Sequence, residues 1–337
     1  MTLFQAVVLG LVQGLTEFLP ISSTAHLRLV PAVLGWEDPG AAFSALVQCG
    51  TLVAVLVAMR RDVLALARGL VTGIVTGRPW GSVESRAAIL VILGTLPIVV
   101  AGLLLRDFIR GPARGLEVIA MALLGGTLLM VVAELVCRGR AGRGASGRDG
   151  LESVGLTDTV AMGLAQALAL VPGASRSGTT ISAGMITGLD RRTAARFSFL
   201  LSLPAIGAAG LLETWQARHE ILATGDDVFA AVAGTAVAGL AGYMSIRWLL
   251  RLLTSHTLWP FVIYRLALAA LVAWACLATQ VTADRPATAG PGAGGGLGPS
   301  AGPTPIIHQV FRPSENSPPC SATSTTGAAW PGSSRAS

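Results

Sequence analysis

Two apolar stretches of this chain are interrupted by proline, glycine and hydroxyl residues at the depth where a membrane helix is normally uniformly apolar. They cover roughly residues 4–35 and 154–188, and Gly10–Gln13 before one break reads like a copy of Gly163–Gln166 before the other. Non-helical backbone at membrane depth survives only where protein or a wet cavity satisfies its polar groups. The stretches are therefore predicted to be re-entrant helix-turn-helix hairpins, which typically build buried sites for small charged groups.

Six further stretches are long and apolar enough to cross a bilayer as helices of about 20 residues. Hydrophobic residues make up 52% of the chain and charged residues 12%, with a mean hydropathy of +0.66. The predicted fold class is an all-α polytopic membrane protein. The predicted spans are roughly 41–58, 87–105, 117–136, 195–213, 229–249 and 260–278.

Hairpins and spans together predict an inverted repeat. Each repeat, about 3–136 and about 154–278, holds one re-entrant hairpin plus three transmembrane helices. An odd number of spans turns the second copy upside down, so the two hairpin tips meet at the midplane. The arginine-rich loops 59–86 and 137–153 are predicted to be cytoplasmic by the positive-inside rule. The first hairpin should consequently enter from the outer face.

The ends of the chain are interpreted from composition. From about Arg285 the sequence shifts to Gly, Pro, Ser, Thr and Ala, and such a segment cannot bury enough surface to fold. The predicted division is a membrane domain over 1–284 and a disordered tail over 285–337. The N-terminus has no basic segment and its first apolar stretch contains Gln13 and Glu17, so a cleaved signal peptide is not expected.

The charged residues and cysteines exclude several kinds of function. All 24 basic residues are arginine, which excludes a Walker-type phosphate lysine and Schiff-base chemistry. The net charge of +6 is explained by arginines in short loops and calls for no nucleic-acid partner. The four cysteines form no C-x-x-C pair, so neither a zinc site nor a redox motif is indicated.

The breaks carry the residues that predict a phosphate site. Glu17 and His26 lie on opposite arms of the first break, and Arg176 lies in the second. A guanidinium fork matches phosphate oxygens, and half-helix N-termini add backbone N–H groups. A carboxylate can hold a divalent cation, and an imidazole can act as nucleophile or proton donor. The neighbouring hydroxyls, as candidate substrate ligands, are Ser22, Ser23, Thr24, Ser175, Ser177 and Thr179.

Four other charged residues have weaker functional readings. Arg28 and Arg265 stay open, because the first can extend to the membrane surface and the second can pair with a helix C-terminus. Glu134 and Glu213 close long apolar stretches and are expected at the membrane interface.

At this point the motifs resemble those of a known family. Gln13, Glu17, Phe18-Leu19-Pro20, Ser22–Thr24 and His26 together resemble a motif of the undecaprenyl-diphosphate phosphatase (bacitracin-resistance) family. The run Pro172–Thr180 resembles its second motif, and the likeness extends over roughly residues 3–278. Supporting matches are Arg60-Arg61-Asp62, Phe197–Leu201 and Tyr264-Arg265.

The resemblance implies a multi-pass hydrolase of the bacterial plasma membrane that converts undecaprenyl diphosphate to the monophosphate. Such an enzyme recycles the lipid carrier for peptidoglycan synthesis and confers bacitracin resistance. It also implies a magnesium or calcium ion, a site toward the outer face and, often, a homodimer. Carried over, Glu17 is the essential carboxylate, Arg176 the diphosphate ligand and His26 the nucleophile or acid/base. Gln13 stands beside Glu17 where many members have Glu, so the metal would have one carboxylate fewer.

Three alternatives were weighed against this interpretation. A lipid or small-anion transporter or flippase shares the inverted-repeat architecture, and spacing alone does not distinguish it from a hydrolase. The soluble-type acid phosphatase superfamily needs a lysine that the chain lacks. A purely structural membrane protein leaves the paired polar breaks unexplained. Within the hydrolase interpretation, the nucleophile stays open between His26, a serine and water.

Overall fold

The computed structural model describes residues 1–110, 113, 115–216, 218 and 225–283, and the regular structure of these residues is helical. The all-α class predicted from composition is confirmed. The predicted tail, 285–337, lies outside the described residues. The helices are α1 (Leu3–Phe18), α2 (Ser23–Leu34), α3 (Gly40–Ala58), α4 (Arg60–Val75), α5 (Val83–Leu104), α6 (Arg106–Arg110), α7 (Leu116–Ala141), α8 (Leu156–Leu168), α9 (Arg176–Thr187), α10 (Arg191–Gln216), α11 (Gly225–Leu252) and α12 (Trp259–Ala283).

Each of the six predicted spans falls on one long helix, namely α3, α5, α7, α10, α11 or α12. Four of these helices are long and apolar enough to cross a bilayer by themselves. A fifth span results if α3 and α4, which are bent by 79° at their junction, count as one broken helix. Several apolar helices of this length establish a multi-pass membrane protein.

Both predicted hairpins form as helix pairs, α1 with α2 and α8 with α9. The first break follows from Pro20, because the residue before a proline is driven out of the helical region, and Leu19 is extended with φ −69° and ψ 141°. The second half-helix of each pair starts after a serine with positive φ, 74° at Ser22 and 70° at Ser175. Few non-glycine residues adopt this conformation, so both breaks hold strained backbone.

The sequence repeat corresponds to equivalent helix crossings. Gly10 and Gly163 stand 153 positions apart, as do Ser22 and Ser175. A Cβ on Gly10 would meet the backbone of Gly234 on α11, and one on Gly163 would meet the backbone of Gly94 on α5. The first helix of each hairpin therefore packs against a span of the other repeat. Such reciprocal contacts are expected of two related halves, while the inversion of one half relative to the bilayer stays a prediction.

The segment predicted as a cytoplasmic loop, 59–86, contains the helix α4. Its outward side exposes Leu64, Val71 and Ile74, and Asp62 on its inner side pairs with Arg196 of α10 at 2.8 Å. An apolar outer face flanked by arginines is typical of a helix that lies along a membrane surface. The arginines of this segment obscure its apolar periodicity in the sequence.

Glu134, for which the sequence predicts a position at the membrane interface, is buried inside the protein. Its side chain is fully buried and accepts from Arg191 Nε at 2.9 Å and from the backbone N–H of Leu258 at 2.7 Å. The carboxylate thus joins α7 to the starts of α10 and α12. A charge at the end of an apolar stretch lies in the interior here because it has a paired cation and a backbone donor.

Candidate active site

Glu17 lies at the centre of the site, on the last turn of α1. Its Oε2 accepts from Gln13 Nε2 at 2.9 Å and from Ser23 Oγ at 2.7 Å, and its Oε1 pairs with Arg176 Nη2. Gln13 reaches the carboxylate because residues four apart share one helix face. The Glu17 side chain is only 4% exposed. The structure therefore brings together four predicted site residues from the two breaks.

The tips of the two hairpins are also joined by hydrogen bonds that involve neither Glu17 nor Arg176. The backbone N–H of Gly173 donates to Thr24 Oγ1 at 3.3 Å, and Ser177 Oγ donates to the carbonyl of Leu19 at 3.0 Å. Thr24 Oγ1 lies 3.2 Å from Ser22 Oγ. Each break thus satisfies polar groups of the other, which is the condition for irregular backbone at membrane depth.

The two half-helix N-termini differ in how they are capped. Ser175 Oγ accepts from the backbone N–H of Gly178 at 3.3 Å, whereas the Ser22 side chain makes no cap bond. Free N–H groups and the positive end of the helix dipole favour an anion. The start of α2, next to Ser23 and Thr24, is thus the better-prepared of the two ends for phosphate.

A cavity of about 640 Å³ opens beside Glu17. Gln13, Ser23 and Thr24 line it, and so does Arg28, whose guanidinium lies 3.4 Å from Asp38. Glu213, expected at the interface, lines it as well. The remaining polar residues on its wall, which no sequence motif indicates, are Asp38, Ser44, Gln48 and Gln216.

Three of the predicted substrate ligands, like Arg176 itself, are not among the residues that line the cavity. Thr179 Oγ1 donates to the carbonyl of Ser175 at 3.1 Å, and Ser177 Oγ is used by Leu19 as described. All three hydroxyl side chains, those of Ser175, Ser177 and Thr179, are buried. Their contacts fix the second tip, and their binding of substrate stays a prediction.

His26 faces away from the carboxylate. Its Nδ1 lies 2.7 Å from the carbonyl oxygen of Ser22, and its Nε2 lies 2.6 Å from the hydroxyl of Tyr264 on α12. His26 is not among the residues that line the cavity. The structure therefore places this histidine outside the cavity wall, in contact with α12.

Arg265 supports the second tip. Its Nη2 donates to the carbonyls of Gly173 and Ala174, both at 3.1 Å, while its Nε donates to Thr127 Oγ1 at 2.9 Å. The side chain is fully buried. Gly126 on α7 leaves the room for this contact, since a Cβ there would lie 2.4 Å from the carbonyl oxygen of Ala174. Arg265 thus holds the backbone just before Arg176.

The chain matches the family described as "Bacitracin resistance protein BacA" over residues 6–271. It belongs to this family. An undecaprenyl-diphosphatase of Chlorobium limicola is 49% identical over 268 residues, which cover 80% of this chain and 94% of that protein. The proteins of the same name from Chlorobium phaeobacteroides and Chlorobaculum tepidum are each 48% identical over 268 residues, covering 80% of this chain and 95% of each relative. The family resemblance inferred from the motifs is confirmed.

A BacA-family site is expected to take a divalent cation, and the donor set can be compared with that expectation. Among the described residues no group of three or more His, Cys, Asp or Glu side chains is arranged to hold a metal. Glu17 with the amide of Gln13 nevertheless fits Mg²⁺, which is commonly held by one or two carboxylates together with substrate phosphate oxygens. The residues present thus fit an ion that arrives with, or is completed by, the diphosphate.

Proposed function

We infer that this chain hydrolyses undecaprenyl diphosphate to undecaprenyl phosphate and inorganic phosphate. The carrying observation is the contact between Glu17 and Arg176, which joins the two polar breaks into one buried charged site in a BacA-family protein. The product is the lipid carrier that peptidoglycan synthesis reuses, and its regeneration is the basis of bacitracin resistance. The carboxylate of this ion pair also lines a polar cavity, for which a purely structural membrane protein would have no use.

The chemistry follows from the charges at the site. Hydrolysis breaks the bond between the terminal phosphorus and the bridging oxygen, and the oxygen of water ends on the released phosphate. The protein contributes by positioning the group and by neutralising charge as that bond breaks. The fork of Arg176 suits two phosphate oxygens at once. The proposed supporting ligands of the diphosphate are Ser22, Ser23 and Thr24 at the start of α2 and Ser175, Ser177 and Thr179, which flank Arg176 in the second break.

We propose Glu17 and Gln13 as the protein ligands of magnesium or calcium. Bound there, the ion would polarise phosphoryl oxygens and stabilise the leaving group. Arg176 forms an ion pair with Glu17. A bound cation would compete with the guanidinium for this carboxylate, and the diphosphate would compete with the carboxylate for the guanidinium. Arg176 would then bind phosphate oxygens in place of Glu17. The proposed role of His26 is that of an acid/base or nucleophile.

We further propose that the site opens toward the outer face, where the spent diphosphate carrier appears. Single cysteines at Ser82 and Ala223, in a chain whose four cysteines are replaced, should label from opposite sides of the membrane with an impermeant thiol reagent. Labelling of both positions from one side would refute this orientation. The homodimer implied by the resemblance is a separate proposal, and the mass of the detergent-solubilised protein tests it.

Phosphate release by the purified chain tests the function directly. In detergent no gradient exists, so a transporter or flippase would release no phosphate from undecaprenyl diphosphate, whereas the inferred hydrolase does. Chelation should abolish the release, and added Mg²⁺ or Ca²⁺ should restore it. Release that persists unchanged in chelator would remove the cation from the proposal, and no release with either ion would remove the function.

A further inference from the structure

His26 has a different partner on each ring nitrogen, and one of them comes from the last helix. The imidazole lies between the carbonyl of Ser22 and the hydroxyl of Tyr264. The two aromatic rings also stack, with centroids 5.6 Å apart and planes 8° apart. His26 is only 8% exposed, so stacking and burial leave the ring little freedom to turn.

The chemistry of the two partners decides where the proton lies. A carbonyl oxygen can only accept, so Nδ1 of His26 must carry a hydrogen and donate it to Ser22. In a neutral imidazole the other nitrogen then holds a lone pair, and the hydroxyl of Tyr264 donates to it. The two hydrogen bonds together select one tautomer, with hydrogen on Nδ1 and the basic lone pair on Nε2.

We propose that Tyr264 is a positioning residue of His26, which holds the imidazole in the Nδ1–H tautomer with Nε2 kept as the basic nitrogen. The importance of this for catalysis rests on the proposed function. Tyr264 acts through His26 and does not line the cavity beside Glu17. Nε2 is thereby the only ring nitrogen of His26 with a basic lone pair, because Nδ1 donates to Ser22, and this lone pair accepts from the hydroxyl of Tyr264.

The substitution Tyr264→Phe tests the proposal, since it removes the hydroxyl and keeps the stacked ring. In the full chain in detergent, labelled with ¹⁵N-histidine, wild-type His26 should show a protonated Nδ1 and an unprotonated Nε2. The variant should shift the Nε2 resonance and populate the other tautomer. It should also lower kcat about tenfold with KM within about twofold, as expected for the loss of one hydrogen bond to a residue used after binding.

The chain supplies matched controls for this experiment. It has two tyrosines and four histidines, so His26→Gln assigns the His26 resonances by their disappearance. Tyr243→Phe removes the other tyrosine hydroxyl, which accepts from Arg247 at 3.0 Å on the outer side of α11. This control should leave both the His26 spectrum and kcat unchanged.

The outcomes separate the proposal from the function. A wild-type His26 with hydrogen on Nε2, or a spectrum that Tyr264→Phe leaves unchanged, would overturn the positioning role even if activity fell. The predicted spectra in a protein that releases no phosphate would uphold the role of Tyr264 and refute the phosphatase function. The tautomer is read from nitrogen resonances, so the two results are independent.

Discussion

The two hairpins share a chain path but differ in how firmly they are held. In α2 only Ala25, His26, Leu27 and Pro31 are buried, whereas in α9 every residue from Ser177 to Met185 is buried. Arg140 donates to the last carbonyls of α9, at Met185 and Ile186. The first hairpin thus carries the carboxylate of Glu17 that lines the cavity. The second hairpin, α8 with α9, holds Arg176 in place; it is called the buttress below.

The glutamine at the equivalent position shows how the two halves have diverged. Gln13 donates to Glu17 four residues later. The counterpart of Glu17 in the second hairpin is Leu170, and Gln166, the counterpart of Gln13, is fully buried with neither amide atom hydrogen-bonded within the described structure. The glutamine amide donates a hydrogen bond to a carboxylate in the first hairpin, and its counterpart in the second hairpin has no hydrogen-bond partner in the described structure. A repeated fold therefore supports one active carboxylate, not two.

The largest loss of activity should follow from removing either charge of the ion pair that joins the two hairpins. Glu17→Gln and Arg176→Ala should each lower phosphate release by more than about a hundredfold, since both charges act on a buried anion. Arg176→Lys should also fail largely, because a point charge cannot replace a bidentate fork. The variants should insert and purify as the wild type does. Either one retaining more than about a tenth of the wild-type rate, a loss of at most about 1.4 kcal/mol in activation free energy, would disprove the assigned site.

A smaller effect on stability should distinguish the buttress from the open hairpin. Arg148 pairs with Asp158 at the base of the second hairpin, at 2.6 and 2.9 Å, and Asp158 is 1% exposed. Arg148→Ala leaves that carboxylate unpaired and should cost about 2–3 kcal/mol of unfolding free energy, measured as a lowered apparent Tm in detergent.

The matched change in the first hairpin is Arg28→Ala, where the paired Asp38 is 51% exposed. An exposed pair contributes about 0–1 kcal/mol, so the Tm should barely change. Equal losses in the two variants would show that both hairpins are held alike.

The two equivalent glutamines should respond differently to the same substitution. Gln166→Leu removes an unsatisfied buried amide and should leave activity unchanged. The free energy of unfolding should stay equal or rise by about 0.5–1 kcal/mol, measured as an equal or slightly higher apparent Tm. Gln13→Leu should instead lower phosphate release about tenfold, because it takes a donor from Glu17. Similar losses of activity in both variants would contradict the division of roles.

The helices and the two breaks could be predicted because they depend on residues that are close together in the sequence. Apolar length predicted the six long helices, and Pro20 with the hydroxyl runs predicted the two breaks. Equivalent breaks in a repeat were expected to meet, and Glu17 does contact Arg176 although they are 159 positions apart. The orientation of His26 toward Tyr264, 238 positions away, carries no local signal. The burial of Glu134 carries no local signal either, since the sequence does not show that Arg191 and the N–H of Leu258 compensate its charge.

The coupling between Glu17 and Arg176 tests most directly whether the two halves form one site. The conservative variants Glu17→Asp and Arg176→Lys keep both charges, so single-turnover release of phosphate from undecaprenyl diphosphate should remain measurable in each and in the double variant. If the two residues act on one diphosphate, the double variant should be at least about tenfold faster than the product of the two single losses predicts, a coupling of about 1.4 kcal/mol. Losses that multiply to within about twofold would show that Glu17 and Arg176 work independently and would contradict the single shared site.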